Sequence, residues 1–307
     1  MMTEGLRIEN LSVTFQLRDR DVQAVDGVSA HFPAGQVTGI IGESGCGKSV
    51  LGMAVLGLLP LYAKVEGGIS LEGIPLQGAC RELGTRIGLI PQNPAESLNP
   101  ARTVQAHLLE ALRPLSLSRR DARERSAQLL RNFGFPQPAR ILKAYPHELS
   151  GGMQQRVLCA IGSACSPAWL LADEPTKGLD SALRDQVLDT LGSMQSRGVT
   201  GMLVITHDLT LARDLCQSLA VMYAGQVLEM GDSVLEHPLH PYTASFLNAL
   251  PERGFQPIGG IAPRAGQRLP GCPFAPRCPH CQERCARERP GACHPEPQHM
   301  VRCFLYE

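Results

Sequence analysis

Residues Gly42 to Ser49 read GESGCGKS. The apolar run Val37-Thr38-Gly39-Ile40-Ile41 leads into them, and a helix-compatible apolar run from Val50 to Leu59 leads out. Strand, glycine-rich loop and helix in that order are the context in which G-x-x-x-x-G-K-[ST] binds phosphate. Gly42, Gly45 and Gly47 let the backbone turn tightly, so that the N–H groups of the loop, including those of Glu43, Ser44 and Cys46, point at phosphate oxygens. The helix that follows directs its positive dipole end at the same anion. Lys48 supplies a point charge for the β- and γ-phosphates, and the Ser49 hydroxyl is a hard oxygen ligand for Mg²⁺.

The chain has 307 residues, enough for one large domain with an appendage or for two domains. Lys+Arg and Asp+Glu are both 29, and this balance gives no support for bulk nucleic-acid binding. No apolar stretch is long enough to span a bilayer, and the start, MMTEGLRIENL, lacks a signal pattern. The expected location is therefore the cytoplasm. Of eleven cysteines, Cys46, Cys80, Cys159, Cys165 and Cys216 are scattered, whereas the other six lie between Cys272 and Cys303. In a reducing compartment such a cluster points to a metal or iron–sulfur site before disulfides.

Residues Leu6–Phe15, Ala24–Phe32 and Gly68–Leu76 alternate as half-exposed strands do, predicting an antiparallel sheet beside the phosphate loop. The short apolar runs Ile87–Ile90, Trp169–Ala172, Met202–Thr206 and Leu219–Tyr223 suit strands of a parallel sheet covered on both faces. Between Thr103 and Ala164 the period becomes helical, over Thr103–Arg113, Ser118–Phe133 and Ser150–Ala164, with Ser118 and Ser150 as N-caps. After Gly231 the composition shifts to Pro, His, Arg and Cys, which places a domain boundary near residues 232–240.

A second anion site is written in LSGGMQQ, residues 149–155, where Ser150 caps a helix whose first N–H groups are left open by Gly151 and Gly152. Next, Trp169-Leu170-Leu171-Ala172 runs into two acids. Asp173 is placed to hold Mg²⁺ through water, and Glu174 to orient or deprotonate a water that attacks the γ-phosphate.

Together these segments make the chain resemble the ATPase subunit of an ABC transporter, over about residues 5–235. GESGCGKS resembles Walker A, LLADEP resembles Walker B with its catalytic glutamate, and LSGGMQQ resembles the signature motif. Gln92, in IPQNP, resembles the Q-loop glutamine, which also reaches Mg²⁺, and His207, in ITHD, resembles the switch histidine. Phe15 matches the aromatic position that stacks on adenine, although a strand phenylalanine also serves as core. The D-loop departs from the family's pattern: it reads Thr176-Lys177-Gly178-Leu179-Asp180, keeping Asp180 but introducing Lys177-Gly178. The resemblance implies an α/β fold with a P-loop core on a mainly parallel sheet, an antiparallel β subdomain, and a helical subdomain at about residues 96–166. It further implies a dimer in which Leu149, Ser150, Gly151, Gly152 and Gln154 of one chain meet the ATP held by the other.

The tail, residues 236–307, is similar to the C-terminal extension of the oligopeptide/dipeptide/nickel branch of ABC importers, through HPLHPYT (237–243) and GCPFAPRC (271–278). That resemblance implies a [4Fe–4S] cluster on Cys272, Cys278, Cys285 and Cys303; zinc suits the same four sulfurs, and Cys281 and Cys293 allow other ligand sets. The histidines of HPLHP are readable as ligands or, given the prolines, as parts of a stiff turn.

The expected function is an ATP-hydrolysing subunit of an importer for peptides or for nickel and metal-chelator complexes. Its implied partners are a related second ATPase in a heterodimer, two membrane permeases and, indirectly, a substrate-binding protein, with no nucleic acid. It would sit peripherally on the cytoplasmic face of the membrane. A non-transport ABC ATPase and an iron- or redox-sensing regulator are the alternatives.

Overall fold

The computed structural model describes the chain except residues 1–4, 77–82, 180, 197, 251–253, 265 and 268, and the side chain of residue 95. In chain order the strands and helices are β1 (Gly5–Gln16), β2 (Asp21–Pro33), β3 (Val37–Ile41), α1 (Lys48–Val55), β4 (Ala63–Leu71), β5 (Ile74–Pro75), β6 (Ile87–Ile90), α2 (Pro94–Ser97), α3 (Val104–Ala111), α4 (Arg119–Asn132), α5 (Pro138–Lys143), α6 (Gly151–Gly162), β7 (Trp169–Asp173), α7 (Ser181–Gln195), β8 (Gly201–Ile205), α8 (Leu209–Leu215), β9 (Ser218–Tyr223), β10 (Gln226–Gly231), α9 (Pro241–Asn248), β11 (Cys293–Glu296) and β12 (His299–Val301). They form two compact units, residues 1–78 with 216–307, and residues 79–215.

The first unit holds an antiparallel sheet ordered β2-β1-β4-β5 and a mixed one in which the order runs β11-β12-β10-β9-β3. β3 and β9 are parallel, and every residue of both is buried, as their unbroken apolar character requires. The run Gly68–Leu76 is not one strand. It breaks at Glu72 and Gly73, whose φ values of 51° and 73° form the tight turn between β4 and β5. From β9 onward the pairing turns antiparallel, through β10 to β12 and β11.

The second unit holds parallel β6, β7 and β8, paired in that order. Ser118 caps α4 and Ser150 caps α6, each hydroxyl accepting the backbone N–H three residues on. α3 stops at Ala111, ahead of a 3₁₀ turn over Arg113–Leu115 that contains Pro114. α6 lies close against β6: a Cβ on Gly88 would stand 2.1 Å from the carbonyl oxygen of Gly162.

The tail is anchored in the first unit by a buried acid. Glu229, fully buried on β10, accepts hydrogen bonds from the N–H groups of Leu239 (2.6 Å) and His240 (3.0 Å), and its Oε1 lies 2.7 Å from Nε2 of His299 on β12. The HPLHP stretch is thus pinned against the domain, and its last two residues begin a helix. His240 caps α9, accepting the Tyr242 N–H through Nδ1, and Pro241 occupies the first helical position. Removing Glu229 leaves three groups without their partner at once, those of His240 and His299 buried and that of Leu239 half-buried, each costing about 1–3 kcal/mol. Glu229→Ala is therefore expected to lower stability by about 3 kcal/mol or more, read as an earlier urea midpoint and faster proteolysis after residue 231.

Candidate nucleotide site

The phosphate loop is held on the first unit. Gly42 adopts φ 149° while passing so close to β9 that a Cβ would stand 2.1 Å from the Met222 carbonyl oxygen, so no larger residue fits. Gly47, at φ 106°, makes the same close approach to the Ala24 carbonyl, and it caps α1 without a side chain. Lys48 is 7% exposed, and its ammonium donates to the carbonyls of Gly42 (2.8 Å) and Glu43 (3.0 Å), so the positive charge stays folded into the loop. Cys46 lies buried beside it, its Sγ 3.7 Å from Nζ, and burial raises its thiol pKa. Ser44, Gly45 and Ser49 are exposed along the open side. A concave run of backbone with an enclosed cation suits a polyphosphate.

Glu43 is turned away from that open side. Its carboxylate forms a two-pronged ion pair with Arg277 of the tail, Nη1–Oε2 2.9 Å and Nη2–Oε1 3.1 Å. Its N–H, expected to face phosphate, instead donates to the Tyr242 hydroxyl at 3.0 Å, and the Cys46 N–H donates to the Glu43 carbonyl at 3.3 Å because the turn closes on itself there. Neither Arg277 nor Tyr242 is readable in the sequence around the loop. Phe15 is half-buried and faces the exposed Tyr62, ring centroids 5.9 Å apart at 51°, so the aromatic position of β1 is a pair.

The second unit carries the acids. Asp173 ends β7, and Glu174 follows in a left-handed conformation, φ 48°, that is unusual for a residue with a side chain. Its N–H donates to the Ile205 carbonyl of β8, and its Oε2 lies 2.7 Å from Nδ1 of His207 and accepts the His207 N–H at 3.4 Å. The carboxylate partner puts the imidazole proton on Nδ1. A carboxylate 9% exposed and steered by an imidazole can orient a water and take its proton. Asp208 binds the Thr210 and Leu211 N–H groups and lies 3.4 Å from Arg184, which fixes the turn behind His207.

In the LSGGMQQ segment Ser150 and Gly151 are exposed at the start of α6, and a Cβ on Gly151 would meet nothing within 4 Å. Gly152 is buried against Leu183 of α7, where a Cβ would stand 2.2 Å from Cδ2. Leu149 is buried, and Gln154 spends its amide on the carbonyls of Pro146 (2.8 Å) and Leu149 (3.3 Å), bracing the loop ahead of the helix. Gln92 is half-buried just beyond β6. Gly178, the departure in the D-loop, has φ 74°, a conformation that suits glycine, and Asp180 lies outside the described residues.

In the tail Cys272, Cys278, Cys285 and Cys303 line one small pocket together with His240 and Phe304. Burial pushes Cys272 up to about 11 and raises Cys278 and Cys303 as well. Cys281 and Cys293 do not line this pocket. Four thiols around one space match the number and type of ligands a [4Fe–4S] cluster takes. They are not drawn together on a single point: among the described residues no group of three or more His, Cys, Asp or Glu is arranged to hold a metal ion.

A phosphate loop, a capped glycine helix and a strand-end glutamate on histidine define a nucleotide-hydrolysing protein of the ATP-binding-cassette class. Residues 25–177 match the ABC transporter family model, and residues 228–285 match that of the oligopeptide/dipeptide transporter C-terminal region. Over its whole length the chain is 36% identical to the oligopeptide transport ATP-binding protein AppD of Bacillus subtilis, covering 98% of it. It is 39% identical to the dipeptide transport ATP-binding protein DppD of the same organism, covering 96%. With DppD of Escherichia coli it shares 38% identity over 93% of this chain and 91% of that one. Among solved structures, cbiO1 of Clostridium perfringens, described as part of an ABC transporter complex, superposes with a TM-score of 0.64 at 27% identity over 76% of this chain and 90% of that one. A dimeric bacterial ABC transporter cassette gives 0.63 at 26% identity, over 72% and 96%. The chain belongs to the ATP-binding subunits of ABC transporters and is an ATPase of that family.

Glu174→Gln keeps the size and the His207 contact but removes the base. It is expected to leave ATP binding within twofold and to slow phosphate release by about 10²-fold or more, measured by equilibrium nucleotide binding alongside a phosphate assay.

Proposed function

We propose that the chain hydrolyses ATP to power an importer of oligopeptides or dipeptides. The observation that carries this reading is the end-to-end likeness to peptide-transport ATP-binding proteins, which includes the tail as well as the nucleotide motifs. Nickel or metal-chelator cargo has no such support.

In this reading the loop N–H groups and Lys48 bind the β- and γ-phosphates, and Ser49 with Asp173 and Gln92 holds Mg²⁺, which neutralises developing phosphate charge when bound. Glu174 orients the attacking water, and His207 keeps its carboxylate aimed. Phe15, with Tyr62 beside it, offers a ring face to adenine. The exposed Ser150–Gly151 end of α6 contacts the ATP of a second ATPase, a related but distinct chain, and Asp180 takes part in the same dimer contact. The division of the chain at residue 235 into an ATPase domain and an extension belongs to this reading. Among the described residues no helix is long and apolar enough to cross a membrane, so the chain works on two separate permeases at the cytoplasmic face, supplied by a substrate-binding protein. The four tail thiols hold a [4Fe–4S] cluster; their number, their type and their common pocket support this reading, with zinc as the alternative for the same four sulfurs.

Co-expression with the permeases tests the assignment: the chain should co-purify with them, and peptide with its binding protein should stimulate ATP hydrolysis. Failure of both overturns the transport reading. Lys48→Ala is expected to abolish ATP binding, whereas Ser150→Arg should leave binding intact and stop turnover of the complex. Normal turnover by Ser150→Arg would refute the shared site. Anaerobically purified protein should show a broad visible absorption that dithionite bleaches and that Cys285→Ser removes; a colourless protein with stoichiometric zinc would overturn the cluster.

A further inference from the structure

Glu43 is held from three directions, and two of them come from the tail. Arg277 binds both carboxylate oxygens, the Tyr242 hydroxyl accepts the backbone N–H, and Lys48 binds the carbonyl. Arg277 is itself immobilised. Its side chain is 6% exposed, its Nε donates to the Gly259 carbonyl at 3.0 Å, and its Nη1 also donates to the Tyr223 hydroxyl at 3.1 Å. The guanidinium lies over the rings of Tyr223 and Phe274, 5.8 Å and 5.9 Å from their centroids. Tyr223, Tyr242 and Phe274 pack on one another at 4.5–5.5 Å. This is a rigid mount, because a forked cation fixes a carboxylate in angle as well as distance, and because Glu43, Tyr223 and Gly259 all belong to the same compact unit as the loop.

A phosphate loop has reason to need such a mount. A loop that keeps part of its N–H groups for an anion makes few bonds of its own, and two of those it does make are the Glu43 N–H to Tyr242 and the Cys46 N–H to the Glu43 carbonyl. Residue 43 is the first in the loop with a side chain that an outside group can grip. We propose that Arg277 is a positioning residue for ATP binding: through Glu43, and together with Tyr242, it sets the phosphate loop in its binding shape before nucleotide arrives. ATP affinity then depends on the folded state of the tail around Arg277, which lies within the thiol-bearing segment 272–278. The inference rests on the ATPase reading above and adds to it a role for the extension. Positioning of this kind acts on affinity more than on the chemical step, since the cost of ordering the loop is met at binding.

The test is equilibrium binding of ATP to the full chain. Arg277→Ala is expected to raise Kd about tenfold, the size typical of one coupled polar pair, and to change kcat at saturating ATP in the assembled transporter less than twofold. Arg277→Lys, which keeps the charge and loses the fork, should recover part of the affinity. Glu43→Gln should also weaken binding, and the double variant Glu43→Gln/Arg277→Ala should be no weaker than Arg277→Ala alone. Tyr242→Phe keeps the buried ring and removes only the acceptor of the Glu43 N–H; it should raise Kd severalfold with an unchanged far-ultraviolet spectrum, and it carries the test if Arg277→Ala does not fold. An unchanged Kd in Tyr242→Phe and Arg277→Lys, or additive effects in the double variant, overturns the proposal while leaving the ATPase assignment intact. Absence of ATP binding by the unmodified chain would overturn both.

Discussion

A loop that turns its amide groups inward has nothing of its own to hold it open. The binding surface of this protein depends on that constraint being met from outside the loop. Gly42 and Gly47 are pressed against backbone carbonyls on β9 and β2, where even a methyl group would collide. Lys48 folds over the interior and satisfies two carbonyls with the charge that a phosphate would otherwise meet. The buried strands β3 and β9 give the rigid floor, and the tail grips the one charged side chain on the loop's outer face. Apart from Lys48, which belongs to the loop itself, these supports reach it from different stretches of the chain.

Glu174 shows a related arrangement. Its left-handed backbone costs of order 1–2 kcal/mol for a residue with a Cβ. The N–H bond to Ile205 and the carboxylate contacts with His207 hold it there. The conformation brings the acid round to His207 just beyond the neighbouring strand, where one carboxylate oxygen meets both the ring Nδ1 and the backbone N–H.

What could be read from the sequence was what short-range physics decides. The phosphate loop, the Ser118 and Ser150 caps, the buried strands and the acid pair after β7 are all local patterns, and they stand where their spacing predicts. The family's motifs made the histidine after β8 legible too. The misses have a common cause. Arg277 lies 234 residues from Glu43, and Glu229 lies 70 from His299; neither pair leaves a periodicity. The stiff turn of HPLHP was legible from its prolines, but the helix it leads into was not: Pro241 sits at the first helical position, where its missing N–H costs nothing. The break in Gly68–Leu76 did leave a local mark: the apolar positions shift phase, from 69 and 71 to 74 and 76, across Glu72-Gly73. Gly178, an oddity against the family pattern, has a conformational reason in its positive φ.

The pairing of β12 with β10 has a bearing on solubility. β10 is almost wholly buried, and its outer hydrogen-bonding side is covered by the short ladder from Glu229–Val301 to Gly231–His299 and by the Arg302 N–H on the Leu228 carbonyl. Chain ends that finish a sheet in this way act as edge protectors. A protein cut at residue 235 would carry the complete set of nucleotide motifs and, with them, a bare apolar strand edge open to a neighbour's backbone. β12 and β11 thus occupy an edge that would otherwise be open to strand-to-strand pairing.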